Sequence, residues 1–147
     1  MGLETFNAYR LRLLREIKYD FYMNRVIFTE KAPAPIGPYN QAILAGNTLY
    51  VSGQIPVDPT TGEVVWGIEA ATVQVMENLR AVLAEAGATF KDVVKTTIFL
   101  NDMGQFAQVN EVYGRYFEEE TAPARETVQV AKLPKGVEVE ISCIAVI

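Results

Sequence analysis

Two charged residues in the last quarter of the chain could act together on a small acid. Arg125 follows Pro123-Ala124 and opens a stretch of alternating apolar residues that is typical of a strand. A guanidinium group in a cleft can bind a carboxylate through two parallel hydrogen bonds. Glu140 lies between Val139 and Ile141 on the last predicted strand, where a carboxylate could orient or deprotonate water. Taken singly, each is more typical of a surface charge, so the fold that positions them decides their meaning.

Other polar residues stand where a binding pocket could use them. Tyr39 follows the segment Ile36-Gly37-Pro38, whose proline makes a rigid corner and fixes the direction of the phenol. Ser52 ends a predicted strand just before Gly53, and Asn110 lies on the polar side of a predicted helix. Each also has an ordinary explanation, as a core tyrosine, a turn serine and a solvated helix position.

The composition excludes several kinds of site. The 147 residues include no histidine, which removes His-based triads, His-ligated zinc and the commonest general base. The net charge of −5 disfavours binding to nucleic acid, which needs clustered Lys and Arg. The chain also has no Walker loop, GxGxxG, CxxC or metal-spaced carboxylate cluster. Acid–base chemistry must therefore use carboxylates, Tyr, Lys, backbone groups or water.

The N-terminal segment and the single cysteine bear on location. Cys143 cannot form an internal disulfide, so we expect a cytoplasmic protein. The chain contains no run of 18 apolar residues, so we expect no membrane span. Residues 1–22 have loosely helical spacing, but their acidic residues argue against an organellar transit peptide. We interpret 1–22 as an extension outside a core domain of residues 23–147. A docking helix, a start-site artefact and organellar targeting stay open as alternatives.

Residue spacing predicts strands and helices in one domain. Apolar residues in 68–86 and in 106–120 recur every three or four positions, as in amphipathic helices. Gly46-Asn47 predicts the turn of a β-hairpin. The predicted order is β-β-β-α-β-α-β-β. The strands are predicted at Arg25–Phe28, Tyr39–Leu44, Thr48–Ser52, Asp92–Leu100, Arg125–Ala131 and Val137–Ile147, and the helices at Ile68–Ala86 and Phe106–Glu120.

This order has a consequence for assembly. Two helices can cover only one face of a six-stranded sheet, so the other face should be exposed. The last predicted strand carries Ile144 and Val146 on the row opposite its main apolar row. Because an exposed apolar face is usually an interface, we expect a homo-oligomer with sheets packed face to face. The strands of Arg125 and Glu140 are consecutive, and we expect them to lie close enough to share one pocket.

Several short motifs in a fixed order give these residues a context. Residues 24–147 resemble the Rid proteins (the RidA, or YjgF, group) along their whole length. The matching segments are Ala34–Tyr39, Ser52–Pro56, Val94–Thr97, Phe106–Asn110, Pro123–Arg125, Val130–Pro134 and Val139–Ile141.

The resemblance implies a fold, an assembly and an activity. The fold is α+β and chorismate-mutase-like, and three chains form a homotrimeric barrel with active sites in clefts between subunits. The activity is hydrolysis of 2-imino and 2-enamino acids, such as 2-iminobutanoate and 2-iminopropanoate, to 2-keto acids and ammonia. It requires no metal or organic cofactor, and it protects pyridoxal-phosphate enzymes from damage by these reactive compounds.

The resemblance also assigns roles by position. Arg125 matches the arginine that binds the substrate carboxylate, and Glu140 matches the glutamate beside the catalytic water. Tyr39, Ser52 and Asn110 match residues that line the pocket.

Thr127 departs from the pattern, because some RidA proteins have cysteine at this position. The backbone carbonyl there is the group proposed to hold water, so the substitution bears more on pocket shape than on catalysis.

Two other functions stay open. One is a regulatory protein that binds a metabolite in the same cleft without chemistry. The other is RNA cleavage, an older label for the family, which the acidic composition and the lack of histidine disfavour.

Overall fold

A computed structural model of the chain describes Arg10 and residues 24–147. The predicted extension at 1–22 therefore lies, apart from Arg10, outside the described residues. Within 24–147 the predicted order of six strands and two helices is confirmed. The elements are β1 Arg25–Ile27, β2 Ala42–Ala45, β3 Thr48–Gln54, α1 Ile68–Glu85, β4 Val93–Leu100, α2 Phe106–Gly114, β5 Ala124–Gln129 and β6 Val139–Val146.

The strands form one mixed sheet in the order β1-β2-β3-β6-β4-β5. β4 and β5 run parallel, and every other pair is antiparallel. The hairpin between β2 and β3 is confirmed, since Ala45 lies opposite Thr48 across Gly46-Asn47. Gly46 has a φ of 62°, which a residue without Cβ adopts readily. The α+β fold class is therefore as the sequence predicts.

Both helices pack on one face of this sheet. Val75 and Leu79 of α1 belong to the same buried cluster as Val139, Ile141 and Cys143 of β6. Full burial of side chains of this size stabilises the fold by about 1.5–3 kcal/mol each. The alternate residues of β6 face the other way. The core thus fixes which β6 residues are directed away from the helices, and Glu140 is one of them.

No helix within residues 24–147 covers the other face of the sheet, as the helix count predicts. Tyr50, Val128 and Val146 lie there and are 50%, 40% and 41% exposed, and Phe99 of β4 is half-buried on the same face. The exposed apolar area runs across β3, β4, β5 and β6. An open apolar face of this extent is typical of an interaction surface.

Two element boundaries differ from the prediction by three residues or more, and the others differ by at most two. α2 ends at Gly114 and not at residue 120, because a glycine disfavours helix and the next two amides make short i→i+3 bonds. The aromatic spacing continues past the helix because Tyr116 and Phe117 pack edgewise on Phe90. β2 begins at Ala42 and not at Tyr39, because the preceding residues belong to a loop with its own hydrogen bonds.

The expectation that the strands of Arg125 and Glu140 share one pocket is wrong within a single chain. β5 and β6 are consecutive in sequence, but β4 lies between them and pairs with both. The parallel β4–β5 pairing requires a crossover through α2, and it places β5 at the edge of the sheet. Sequence adjacency does not fix strand adjacency in a mixed sheet.

A buried glutamine holds the proline-rich loop that leads into β2. Gln41 is 1% exposed, and its side-chain oxygen accepts a hydrogen bond from the Thr29 amide at 2.7 Å. Its side-chain nitrogen lies 3.0 Å from the carbonyl oxygen of Thr29, 3.2 Å from that of Ala32 and 2.9 Å from that of Pro33. One side chain thus contacts four backbone groups of residues 29–33, and its two N–H protons are shared among three carbonyl oxygens.

Replacing this amide should loosen the loop. We expect Gln41→Leu to lower the free energy of unfolding by roughly 2–4 kcal/mol, because buried backbone groups lose their partners. Urea unfolding measures the change. Gln108→Leu, at an exposed helix position, is the matched control and should change stability little. Equal stabilities for the two variants would contradict the role given to Gln41.

Candidate active site

Glu140 lies in a cavity of about 730 Å³ beside the proline-rich loop. Tyr39, Ser52 and Gly53 line the same cavity, as do Ile36 and Ile55 on its apolar walls. Lys135, whose backbone is left-handed with a φ of 55°, adds a basic side chain to the lining. The structure therefore brings together Tyr39, Ser52 and Glu140.

The carboxylate of Glu140 lies directly against the backbone of Gly53. A Cβ atom at residue 53 would come 2.7 Å from Cδ and 2.9 Å from Cγ of Glu140. The β3–β6 register shifts between Val51 and Gln54, so Gly53 lies in an irregular part of the strand. Burial raises the pKa of Glu140, and no described residue makes a hydrogen bond to its carboxylate. A desolvated, unpaired carboxylate is a suitable general base.

Tyr39 and Ser52 are held by local backbone contacts. The Ile36 amide donates to the phenolic oxygen of Tyr39 at 3.4 Å, and the Tyr39 amide donates to the Gly37 carbonyl at 2.9 Å. The Ser52 hydroxyl donates to the Asn40 carbonyl at 2.7 Å. The phenol proton and the serine lone pairs stay available to a ligand, since these contacts do not use them.

Arg125 and Asn110 form a second group, between β5 and α2. Nη1 of Arg125 donates to Oδ1 of Asn110 at 2.8 Å. The guanidinium carbon lies 4.9 Å from the ring centre of Tyr113 and 5.7 Å from that of Phe106. Among the described residues, no carboxylate forms an ion pair with this arginine. Arg125 is thus positioned by neutral groups and keeps an edge for an anion.

Thr127 lies two residues after Arg125 on the same face of β5. Its hydroxyl oxygen is buried and has no hydrogen-bond partner among the described residues. A buried hydroxyl without a partner loses the stabilisation that water would give it. It is therefore a hydrogen-bonding group that a bound polar molecule or water could use.

The two groups lie on opposite faces of the sheet. Glu140 faces away from the helices, whereas Arg125 contacts α2. Arg125 pairs with Thr96 and Glu140 with Phe99, so the two are offset by three residues along β4. This corresponds to about 10 Å along the strands and about 10 Å across them. One chain therefore contains two half-sites and does not join them.

Comparison with known proteins agrees with this geometry. Residues 29–147 match the profile of the family described as Endoribonuclease L-PSP. The chain belongs to this family, which contains the Rid (YjgF) proteins. A RutC family protein of Pyrococcus horikoshii is 56% identical over 124 residues, which cover 84% of this chain and 98% of the relative.

Solved structures of similar proteins have the same fold as this L-PSP family chain. RidA from an Antarctic Psychrobacter is 47% identical, with a TM-score of 0.81 over 84% of this chain and 99% of that one. TdcF from Escherichia coli, solved with bound serine, is 43% identical, with a TM-score of 0.79 over 84% of this chain and 98% of that one.

Sequence reasoning missed several residues of this Rid domain. Tyr113 and Phe106 flank Arg125, and the signal was available, because they lie three and four residues from Asn110, which is the spacing of neighbours on a helix. Nothing in the sequence joins Gly53 to Glu140, which lie far apart along the chain. Their contact depends on which strands pair.

The described residues contain neither a membrane-spanning helix nor a metal-binding group of side chains. No described helix has the length and apolar character needed to cross a membrane. Among residues 24–147 and Arg10, no three His, Cys, Asp or Glu side chains are grouped closely enough to hold a metal ion.

A methyl group at residue 53 should displace the carboxylate of Glu140. We expect Gly53→Ala to lower the free energy of unfolding by about 1–3 kcal/mol through overpacking. Gly114→Ala is the matched control, because a Cβ there has no heavy atom within 4 Å. In a Glu140→Ala background the Gly53→Ala loss should largely disappear. A full loss in both backgrounds, measured by urea unfolding, would contradict the contact.

The raised pKa of Glu140 predicts a pH-dependent difference in stability. Below the ordinary value of 4.5 the carboxyl is protonated in both folded and unfolded chains, so Glu140→Gln should melt close to wild type. As pH rises from this ordinary value toward the raised pKa of the folded chain, the unfolded chain ionises while folded Glu140 keeps its proton, so wild type loses stability and the Gln variant should become the more stable. Thermal melts between pH 4 and 8 would show this. Glu118→Gln controls for the lost charge, and a difference that shrinks with rising pH would contradict the assignment.

Proposed function

We propose that the protein hydrolyses 2-imino and 2-enamino acids to 2-keto acids and ammonia. The observation that carries this is the pair of half-sites: a charged Arg125 with neutral neighbours, and a desolvated Glu140 carboxylate in a cavity. The first suits the carboxylate of a 2-imino acid. The second suits the water that must attack its imine carbon.

We further propose that the site is completed in a homotrimer. Arg125 and Glu140 cannot meet in one chain, whereas a second copy of the chain could bring its Arg125 half-site to the Glu140 cavity. The exposed apolar face across β3–β6 supports such an assembly, since burial of a face this large is favourable. On this account each cleft contains residues of two subunits.

Arg125 would bind the substrate carboxylate and hold the imine carbon toward Glu140. Asn110 already accepts from Nη1, which fixes the plane of the guanidinium before substrate arrives. Orientation is the main contribution to rate, because imines hydrolyse in water without a catalyst. Thr127 and Tyr39 would provide further hydrogen-bonding groups at the two sides of the cleft.

The chemistry needs one base that returns its proton. Glu140 takes a proton from water as the water oxygen bonds to the carbon of the protonated imine, which gives a neutral tetrahedral carbinolamine. The same carboxyl then delivers that proton to nitrogen. As the C–N bond breaks, the hydroxyl group gives its proton to Glu140 and becomes the keto group, and the departing ammonia takes that proton and leaves as ammonium. Water supplies the oxygen of the product, and the nitrogen departs as ammonium, so no oxidant or reductant takes part.

Two comparisons support the proposal. The Psychrobacter relative is named RidA, and the Escherichia coli TdcF structure holds serine, a small amino acid with a carboxylate.

The competing candidate is a protein that binds a keto acid in the same cleft without chemistry. Release of 2-oxobutanoate above the uncatalysed rate, from 2-iminobutanoate made in situ by threonine dehydratase, distinguishes the enzyme from the binding protein.

Arg125 should dominate substrate binding. We expect Arg125→Ala to lower kcat/KM at least about 30-fold, because a charge-assisted pair worth about 2–3 kcal/mol is lost. The measurement is the coupled deaminase assay. Arg115→Ala is the control, since Arg115 pairs with Glu111 at 3.0 Å on the exposed side of the helix. Wild-type turnover by Arg125→Ala would refute the assignment.

A further inference from the structure

The ring of a buried tyrosine packs against the guanidinium group of Arg125. Tyr113 is 5% exposed, and its ring centre lies 4.9 Å from the guanidinium carbon. The face of an aromatic ring attracts a cation, and the attraction grows when both groups are shielded from water. The ring therefore restrains the planar guanidinium without taking any of its N–H donors.

The position of the ring is itself fixed. The Tyr113 phenol shares a hydrogen bond of 2.8 Å with the buried hydroxyl of Thr96. Thr96 is also the β4 residue that pairs with Arg125. The same residue therefore positions both the backbone of Arg125 and the ring of Tyr113. Burial raises the pKa of Tyr113, so the phenol stays neutral at physiological pH.

These neighbours leave the charge of Arg125 uncompensated. Asn110 accepts from one nitrogen, and the ring centre of Phe106 lies 5.7 Å from the guanidinium carbon. Among the described residues, all the contacts of the guanidinium are to neutral groups. A second Tyr–Arg pair in the same chain differs in this respect: Arg80 lies 5.2 Å from the Tyr116 ring, but Glu77 pairs with Arg80 at 3.5 Å and accepts from the Tyr116 phenol. That pair is already neutralised.

We propose that Tyr113, held by Thr96, is a positioning residue that presents the charged edge of Arg125 to the carboxylate of the ligand. The inference rests on the proposed function for its kinetic consequence. The binding consequence holds for any small carboxylate. Tyr113 acts through Arg125 and touches no reacting atom, so its loss should weaken binding and leave the chemical step largely intact.

The test compares variants that keep or remove the ring. Tyr113→Phe keeps the ring and loses the Thr96 contact, whereas Tyr113→Leu removes the ring. Since Leu could destabilise the core, a third protein carries a fluorinated phenylalanine at this position, which keeps the shape and weakens the attraction for cations. Tyr116→Leu is the matched control, because it removes the neutralised Tyr–Arg pair. Each protein is assayed for KM and kcat, for the Kd of 2-oxobutanoate and for thermal stability.

We expect Tyr113→Leu and the fluorinated protein to raise KM and Kd about tenfold, with kcat within about twofold of wild type. Tyr113→Phe should restore most of the affinity, and Tyr116→Leu should leave it unchanged. Unaltered Kd in the fluorinated protein would overturn the proposal, as would a fall in kcat with no change in KM. If wild type binds 2-oxobutanoate without deaminating imines, the proposed function fails, and the Kd series still decides the role of Tyr113.

Discussion

β4 separates the two charged residues that the proposed chemistry needs. It pairs with β5 on one side and β6 on the other, and the helices cover only one face of the sheet. Arg125 therefore contacts α2, whereas Glu140 opens into the cavity beside the proline-rich loop. The strand order, the uncovered face and the position of each half-site are consequences of the same packing. A site that uses both residues requires a second chain, which connects the proposed catalysis to the proposed trimer.

Each half-site contains polar or charged groups that lack the partners that would stabilise them most. Glu140 is desolvated against Gly53, where only a residue without Cβ leaves room for the carboxylate. The charge of Arg125 is not balanced by its neighbours among the described residues, which are an amide and aromatic rings. The Thr127 hydroxyl is buried without a partner among the described residues. All three are less stable than fully paired groups would be, and all three would gain from a bound carboxylate or water. Such trade-offs are typical of functional sites.

The sequence was sufficient to predict the helices, the strands and the covered face of the sheet. It was insufficient to predict which strands lie next to each other. Periodicity predicted both helices, the Gly46-Asn47 hairpin and the uncovered face, because these depend on local spacing and on the number of helices. It failed for the β5–β6 relation, since the parallel pairing of β4 and β5 is a tertiary choice. The contact between Gly53 and Glu140 could not be predicted for the same reason, because it depends on strand pairing. Tyr113 could have been found from its spacing to Asn110, whereas its distance to Arg125 required the fold.

The central claim is that Arg125 of one subunit and Glu140 of another form one cleft. Complementation tests it most directly: inactive Arg125→Ala and Glu140→Gln proteins are dissociated, mixed in equal amounts and reassembled. Random trimers should then contain about a quarter of their clefts with both residues intact, and deaminase activity should return to about that fraction of wild type. If the mixture stays as inactive as its components, although mixed trimers are demonstrated by mass spectrometry, the shared cleft is wrong.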